Sequence, residues 1–377
     1  MNPIGSTDTI GVDLGDKFSY ACVLDFGGQI QGRFRLRTTP TAFRTRFGAL
    51  QKSLVAIETG THSPWVSRVL EACGHRVLVA NSRRVKLISE NRKKTDRADC
   101  ELLARIARAD PTLLAPITHR DETSQQDLAV LRARAATVRA RTLLINSARG
   151  LVKASGGRIP AAGSTAFCRV AREAIPDGLR PAVEPQLNAI ELLTQQIKSY
   201  DRQVAELATR HSATKLLQAI PGVGPICSLA FVLTVEDPHR FRRSRQVGAY
   251  FGLVPRLDES GNSSPQLRIT KAGDVDVRSL LVISAQYVLG PFAPDSDLRR
   301  WGLALTERGG KNSKKRAVVA VARRLAVLMH HLWRTGEVYD PLFLARQRGE
   351  ADDLDKARPG RARRKKTNPT NEEAVLV

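Results

Sequence analysis

The feature that most constrains the fold is a run of apolar residues spaced alternately three and four apart. The run comprises Ile190, Leu193, Ile197, Tyr200, Val204 and Leu207. This spacing puts every member on one stripe of a helix, and such a stripe packs against another helix. A second set recurs every seven residues upstream and offers the partner seam: Leu131, Val138, Ile145 and Val152. The sequence therefore predicts a helical coiled-coil segment over residues 120–210, paired within one chain or between chains.

Helix-breaking residues separate the two predicted helices. They are Gly156, Gly157, Pro160 and Pro176. Proline removes a helical hydrogen bond and glycine weakens a helix, so residues 154–181 are expected to form a turn or a small insertion.

The C-terminal part of the chain changes character twice. Residues 213–340 carry a mostly helical pattern with a polar loop at 258–265, which indicates a third, compact domain. Beyond residue 346 apolar residues thin out and a basic run follows, so 346–377 is predicted to be a disordered basic tail.

The N-terminal part alternates short strands with helices. Apolar runs indicate strands at 9–13, 19–24, 33–36, 54–58 and 77–79. Helices are expected at 42–50 and after Pro64. This alternation predicts an α/β domain over residues 1–115, so the whole chain belongs to an α/β plus all-α class.

The charge of the chain indicates the kind of partner. Lysine and arginine number 60 against 37 aspartate and glutamate, a formal net charge of +23. Such an excess repels itself unless an anionic partner is bound, and nucleic acid is the leading candidate. The charge does not distinguish an enzyme from a structural RNA-binding protein.

Two absences in the sequence concern membranes. The apolar run at 317–328 is interrupted by Arg323 and Arg324, well short of a bilayer span, so no transmembrane helix and no membrane partner are expected. Residues 1–9 lack the basic start and apolar core of a secretory signal, which favours a cytoplasmic location.

Four carboxylates occupy positions suited to a metal site. Asp13 and Glu58 end two predicted strands, and Asp96 and Asp99 lie three residues apart near a helix start, on one helical face. Carboxylate oxygens are hard ligands suited to Mg²⁺, and two such ions can stabilise the attacking and leaving oxygens of a phosphoryl transfer. The alternative is that Asp13 merely terminates a strand and that the other two aspartates favour a helix N-terminus.

A glycine-containing turn lies between two apolar helical stretches at residues 220–225. Its Gly222 and Gly224 allow backbone amides to approach a DNA phosphate, as in a helix-hairpin-helix turn. An ordinary connecting turn explains the same residues equally well.

Basic residues accompany a serine in the predicted polar loop. Ser260 precedes a glycine, and Arg268, Lys271 and Arg278 follow it and could surround a phosphate. A serine hydroxyl in such surroundings can act as a nucleophile once its proton is removed, although most serines in Ser-Gly turns are inert.

The first long helix is rich in arginine. Arg132 and Arg139 lie beside its apolar seam and offer a basic face for a nucleic-acid backbone, while a solvated helix face is the alternative. Such contacts give affinity without base specificity.

Taken jointly, short motifs along residues 9–333 resemble the DEDD transposases of the IS one-ten insertion-sequence family, also described as bridge-RNA-guided serine recombinases. The motifs are Gly11-Val12-Asp13, Ile57-Glu58-Thr59-Gly60, Lys94-Thr95-Asp96 with Asp99, Pro221-Gly222-Val223-Gly224, Tyr250-Phe251-Gly252-Leu253-Val254-Pro255, Glu259-Ser260-Gly261-Asn262 and Ile269-Thr270-Lys271-Ala272-Gly273-Asp274.

The resemblance implies an N-terminal RNase H-like (RuvC-like) domain whose acidic residues correspond to Asp13, Glu58, Asp96 and Asp99. It also implies a C-terminal transposase domain whose serine becomes covalently joined to DNA. Ser260 matches that serine, with Ser263 and Ser264 as less favoured substitutes. The resemblance further implies a dimer or tetramer with a composite site, and a structured guide RNA that pairs with both DNA partners.

Three hypotheses follow. The leading one is a DNA recombinase in which Ser260 attacks a phosphodiester with help from Mg²⁺ held by the carboxylates. The second is a metal-dependent junction nuclease that uses water. The third is a nucleic-acid scaffold in which the acidic cluster is structural.

Overall fold

The computed structural model describes residues 8–81, 95–258, 265, 267–310 and 312–349. The chain divides into two compact units, Met1–Glu122 and Thr123–Val377. The further division of the second unit into a helical segment and a transposase domain stays a prediction. Within the described ranges, no helix combines the length and apolarity needed to cross a bilayer.

A five-stranded mixed sheet forms the centre of the first unit. Its strands are β1 (Thr9–Asp13), β2 (Phe18–Leu24), β3 (Ile30–Arg37), β4 (Leu54–Glu58) and β5 (Arg76–Ala80). They are ordered β3-β2-β1-β4-β5 across the sheet. The strand pairs β1/β2 and β2/β3 are antiparallel, whereas β1/β4 and β4/β5 are parallel. This topology agrees with the predicted RNase H-like fold.

Helices cover both faces of this sheet. They are α1 (Pro40–Gly48), α2 (Ser63–Ala72) and α3 (Asp96–Ala109). One face buries Ile10 and Val12 against Phe43 and Phe47 of α1 and against α2. The other face packs against α3. Because successive side chains of a strand point to opposite faces, odd-numbered residues of β1 face α3.

The described residues of the second unit form helices joined by turns and loops, with one isolated β-bridge between Pro255 and Ile269. Its helices are α4 (Glu122–Ala154), α5 (Phe167–Ala174), α6 (Arg180–Arg210), α7 (Ser212–Leu217), α8 (Pro225–Val235), α9 (Gln246–Tyr250), α10 (Val275–Leu289), α11 (Asp297–Glu307), α12 (Ser313–Thr335) and α13 (Phe343–Gln347). The predicted insertion between the long helices contains α5 and a short 3-10 turn at Asp177–Leu179.

The two long helices, α4 and α6, run antiparallel and contact each other within one chain. Arg134 Nε donates to Asp201 at 2.6 Å, and Arg141 donates to Thr194 at 3.5 Å. Residues nearer the C-terminus of α4 therefore contact residues nearer the N-terminus of α6, as antiparallel helices do. On α4 the apolar seam is buried at Leu131 and Val152 and only half-buried at Val138, whereas Ile197 in the middle of α6 is buried. The coiled coil itself stays a prediction.

Helix α8 lies at the centre of the largest apolar core. All nine of its residues from 227 to 235 are buried. They pack with residues of α10 and α12 in one cluster. A helix that is apolar on all sides is stable only when other elements surround it.

Candidate active site

Two of the predicted carboxylates lie side by side at one edge of the sheet. Strands β1 and β4 are parallel, with Val12 opposite Ile57. Asp13 and Glu58 are the next residues of the two strands, so they occupy neighbouring positions across the pair. Ala80 of β5 lies opposite Glu58 and completes this edge.

Helix α3 reaches the same edge because Gly11 lets it approach β1 closely. A Cβ atom at Gly11 would lie 2.0 Å from the carbonyl oxygen of Cys100 and 2.5 Å from the amide nitrogen of Ala104. The helix backbone thus rests directly on the strand. Asp99 precedes Cys100, and Asp13 follows Gly11 by two residues, so the two carboxylates belong to adjoining segments.

Electrostatic effects on Cys100 support this proximity. Burial is the main reason why the pKa of the Cys100 thiol is raised to about 12, and the charges of Cys22 and Asp13 raise it further. The negative charge of Asp13 therefore acts on the first turns of α3.

The first turn of α3 holds Asp96 and Asp99 in different surroundings. Thr95 caps the helix by accepting a hydrogen bond from the Ala98 amide at 3.3 Å. Asp96 is exposed, as expected for an acidic residue that merely favours a helix N-terminus. Asp99 is only 7% exposed, and its Oδ1 is buried without a hydrogen-bond partner. Helix stabilisation alone does not account for such a buried oxygen, because leaving it unsatisfied costs roughly 1–3 kcal/mol.

The donor chemistry of this edge fits a hard divalent cation. Carboxylate oxygens are the ligands that Mg²⁺ prefers, and a cation would satisfy the buried Asp99 oxygen. Across the described ranges, no group of three or more His, Cys, Asp or Glu side chains is placed to hold a metal ion.

Ser260, together with Ser263 and Ser264, lies outside the described residues. The chain on either side of them is paired. The Arg256 amide donates to the Arg268 carbonyl at 2.9 Å, and the Thr270 amide donates to the Val254 carbonyl at 2.9 Å.

Two glycines flank this paired segment, one before its first strand-like stretch and one after its second. Gly252 and Gly273 have φ angles of +66° and +72°, which side-chain-bearing residues rarely adopt. A Cβ at Gly273 would also lie 2.0 Å from the Tyr250 carbonyl oxygen. The glycines of the Tyr250–Pro255 and Ile269–Asp274 motifs are therefore required by backbone packing.

The three basic residues near this segment have different surroundings. Arg268 and Lys271 are exposed, as a phosphate contact requires. Arg278 differs from the expectation, because it is only 9% exposed and donates to the carbonyls of Phe251 at 3.2 Å and Ala272 at 2.6 Å. Its guanidinium supports the backbone here and does not face solvent.

The predicted helix-hairpin-helix segment contains a tight turn between α7 and α8. The Val223 amide donates to the Ile220 carbonyl at 3.0 Å, with Pro221 and Gly222 between them and a φ of +85° at Gly222. This is the pattern of a type II turn. Gly224 is exposed and precedes α8, whose N-terminus has no side-chain cap.

The two predicted arginines of α4 lie against the start of α10. Arg139 donates to Asp276 at 3.2 Å, and Arg132 lies 4.0 Å from Asp274. Their side chains remain 65% and 59% exposed. Exposed ion pairs of this kind are weak, so both guanidiniums remain accessible to an anion.

Gly11 was named from the sequence only as part of a family motif, and its role in the close approach of α3 to β1 was missed. A glycine inside the apolar strand that precedes Asp13 is the signal that could have identified it, because such glycines mark a close backbone approach.

Comparisons with known proteins identify the family. A profile described as "Transposase", for the DEDD transposases of IS110, matches residues 10–155. A second profile, described as "Transposase IS116/IS110/IS902 family", matches residues 214–297. The first match runs from the first unit through α4 of the second and includes all four carboxylates, whereas the second match lies in the second unit and includes Ser260.

Individual relatives agree with these profiles. The transposase for insertion sequence element IS1111A of Coxiella burnetii is 37% identical over 175 residues, which is 45% of this chain and 47% of that relative. The Sinorhizobium fredii protein y4pF/y4sB is 30% identical over 76% of this chain and 74% of its own length. The transposase for insertion sequence element IS1328 of Yersinia enterocolitica is 28% identical over 74% of this chain and 82% of its own. The chain therefore belongs to the IS116/IS110/IS902 family of insertion-sequence transposases, enzymes that process DNA by phosphoryl transfer.

Proposed function

We propose that this transposase cuts and rejoins DNA through a covalent serine–phosphate intermediate, with Ser260 as the nucleophile and Asp13, Glu58, Asp96 and Asp99 as a Mg²⁺ site. The observation that supports the metal site best is the edge of the sheet described above. There, Asp13 and Glu58 are neighbours across β1 and β4, and α3, which rests on Gly11 of β1, carries the buried, unpartnered Oδ1 of Asp99.

The carboxylates and the serine have separate roles in this proposal. A bound Mg²⁺ supplies charge neutralisation at the scissile phosphate and stabilises the oxygens that attack and leave. The four carboxylates would hold the ion, and Asp99 would be the least mobile of them because it is buried and α3 rests directly on Gly11. The exposed Asp96 is the more adaptable ligand.

The serine step exchanges one phosphorus–oxygen bond for another. The Ser260 oxygen bonds to phosphorus while the bond from phosphorus to one DNA oxygen breaks. The serine proton passes to a base, and the leaving DNA oxygen ends as a hydroxyl. In religation a DNA hydroxyl attacks the serine ester, and Ser260 regains its proton.

Phosphate contacts outside the reaction centre are assigned to two groups. The turn at Gly222 and Gly224 offers backbone amides to a phosphate, as in a helix-hairpin-helix motif. The exposed side chains of Arg132, Arg139, Arg268 and Lys271 provide sequence-independent attraction. Because none of these groups reads bases, we propose that a structured guide RNA selects the DNA.

The larger organisation is proposed from the sequence patterns together with the family resemblance. We assign residues 1–115 to the RuvC-like domain, 120–210 to the coiled-coil segment, 213–340 to the transposase domain and 346–377 to the basic tail. A dimer or tetramer acts in the cytoplasm in this proposal.

A covalent-trapping experiment tests the nucleophile. Labelled element-end DNA, guide RNA and Mg²⁺ are incubated with the protein and resolved on a denaturing gel. We expect a slowly migrating protein–DNA adduct that is lost in Ser260→Ala and retained in the matched controls Ser263→Ala and Ser264→Ala. Loss of the adduct in a control instead would move the nucleophile to that serine.

The same gels separate the proposal from the alternatives. Cut DNA without any adduct, unchanged in Ser260→Ala, would indicate a junction nuclease that uses water. Full activity in Asp13→Asn and Asp99→Asn would indicate that the carboxylates are structural and would rule out the metal site. Titration of Mg²⁺ by calorimetry gives an independent measure, since both variants should bind the ion more weakly.

A further inference from the structure

We infer that the edge strand β3 and its neighbour β2 form a DNA-strand binding surface beside the carboxylates, built from Arg35 and Arg37 on an aromatic platform of Phe18 and Tyr20. This inference rests on the proposed function, because it takes the carboxylate edge as the place of cutting. These four residues form the arginine–aromatic surface.

The strand register puts this surface directly beside the proposed reaction centre. Asp13 lies opposite Tyr20, and Tyr20 lies opposite Arg35. Residues directly opposite each other in antiparallel strands point to the same face of the sheet. Neighbouring strands are about 5 Å apart, so Arg35 is about 10 Å from Asp13 across the sheet. Arg37 lies opposite Phe18, on the same face and two residues beyond the level of Asp13.

The rings of Phe18 and Tyr20 restrict the orientation of the Arg35 guanidinium. The guanidinium carbon of Arg35 lies 3.6 Å from the centre of the Phe18 ring and 5.7 Å from that of Tyr20. Stacking of this kind reduces the conformational freedom that a guanidinium loses on binding an anion. The residue remains exposed, so its N–H groups are accessible.

The charge of this surface is not neutralised by its surroundings. Arg33, on the same face, forms an ion pair with Glu101 of α3 at 2.5 Å and so fastens the helix to the sheet. Within the part of the chain that the structure describes, neither Arg35 nor Arg37 forms an ion pair. Both are exposed. The negative charge at Asp13 is at the edge of this positive surface, so a polyanion can lie on the arginines while one of its phosphates reaches the carboxylates.

Protection of an exposed edge strand is the competing explanation. Charged side chains prevent such strands from pairing with other chains, and either sign of charge serves that purpose. Edge protection does not require two adjacent, like-charged arginines on one face, nor an aromatic platform under one of them. A DNA phosphate backbone matches both features, because guanidiniums bind phosphates through paired hydrogen bonds.

The sequence contained a signal for this surface. Arginines alternate at positions 33, 35 and 37, which is the period that puts side chains on one face of a strand. Only the register of β2 with β1 relates that face to Asp13.

A paired-variant binding experiment tests the inference. Fluorescence anisotropy of labelled DNA is measured over a range of KCl concentrations for Arg35→Gln/Arg37→Gln. The matched control is Arg44→Gln/Arg76→Gln, which removes the same charge from exposed arginines elsewhere in the first unit. We expect the test variant to bind roughly tenfold more weakly than the control. Its salt dependence should fall by about 0.9 for each lost duplex phosphate contact, or about 1.8 in all.

Two further arms define what would overturn the inference. Arg35→Lys/Arg37→Lys keeps the charge and should retain most of the salt dependence while losing part of the affinity, and it guards against misfolding of the Gln variant. Equal DNA binding by the test and control variants would refute the surface, as would a loss confined to guide RNA. Asp13→Asn should keep full DNA binding and lose cleavage. Normal cleavage by Asp13→Asn would instead defeat the proposed function and leave the binding result standing.

Discussion

Substitution of Gly11 by alanine should separate α3 from β1 and so disable the carboxylate edge. Real Cβ contacts are essentially never under 3.0 Å, and the added atom would lie 2.0 Å from the Cys100 carbonyl oxygen, so the backbones must move apart by about 1 Å. Neither contact atom of the helix can rotate away, because both belong to the backbone. Overpacking of this kind costs roughly 1–3 kcal/mol, and we expect about 3 kcal/mol here.

The shift should also affect catalysis. Asp99 moves with α3 and Asp13 with β1, so the displacement falls directly between two proposed metal ligands. A misplacement of about 1 Å can reduce a rate roughly 100-fold. We therefore expect Gly11→Ala to bind DNA normally and to cleave it about 100-fold more slowly.

Hydrogen exchange measured by mass spectrometry checks the structural part. Peptides from α3 and β1 should exchange roughly 100-fold faster in Gly11→Ala, since about 1.4 kcal/mol corresponds to tenfold. Gly32→Ala in β3 is the matched control, because a Cβ there meets nothing within 4 Å. Exchange and cleavage in Gly11→Ala that equal those of Gly32→Ala would refute the packing argument.

Three other predictions concern the second unit. Gly273→Ala should lower the melting temperature much more than Gly309→Ala, because the two φ angles are +72° and +70° but only Gly273 lacks space for a Cβ. Arg278→Gln should destabilise the unit by roughly 1–3 kcal/mol because two carbonyls lose a charged donor, whereas the exposed Arg268→Gln should melt like the wild type. Burial lowers the pKa of His330 below its ordinary 6.5, so its contribution to stability is present above pH 6.5 and lost as the pH falls through the lower folded-state value. Thermal melts from pH 8 to 5 should show a smaller loss in His330→Gln, and an identical pH profile would contradict this.

His330 is sensitive to pH because its ring is completely buried and fully hydrogen-bonded. Its Nε2 donates to the Pro238 carbonyl at 2.8 Å, and its Nδ1 accepts from the Ser244 hydroxyl at 3.0 Å. This arrangement suits the neutral ring, and a proton on Nδ1 would remove an acceptor.

Local sequence patterns predicted most elements of the fold. The five strands and the two long helices lie close to their expected positions, because strand and helix periodicity depend on neighbours in the chain. Heptad spacing was less informative about the burial of residues in the middle of α4. Heptad spacing marks Val138 as a seam residue, but its burial depends on how closely α6 approaches there.

The residues of the candidate site were likewise predictable only in part. Asp13 and Glu58 could be identified because each ends a strand, a local feature. The role of Arg278 could not be predicted, since the sequence gives its charge but not the two carbonyls that surround it. Its basic neighbours Arg268 and Lys271 have similar sequence surroundings and yet remain exposed.

The sequence by itself determined the periodicities, the excess of positive charge and the family motifs, because these depend only on residue types and their spacing along the chain. Only the tertiary structure decided which side chains meet. The register of β1 with β4 makes Asp13 and Glu58 neighbours, and the backbone contact at Gly11 holds the start of α3, which carries Asp99, against β1. The register of β2 with both β1 and β3 aligns Arg35 with the same edge. These relations arise from contacts between residues far apart in sequence, and no local pattern encodes the distance at which such residues come to lie.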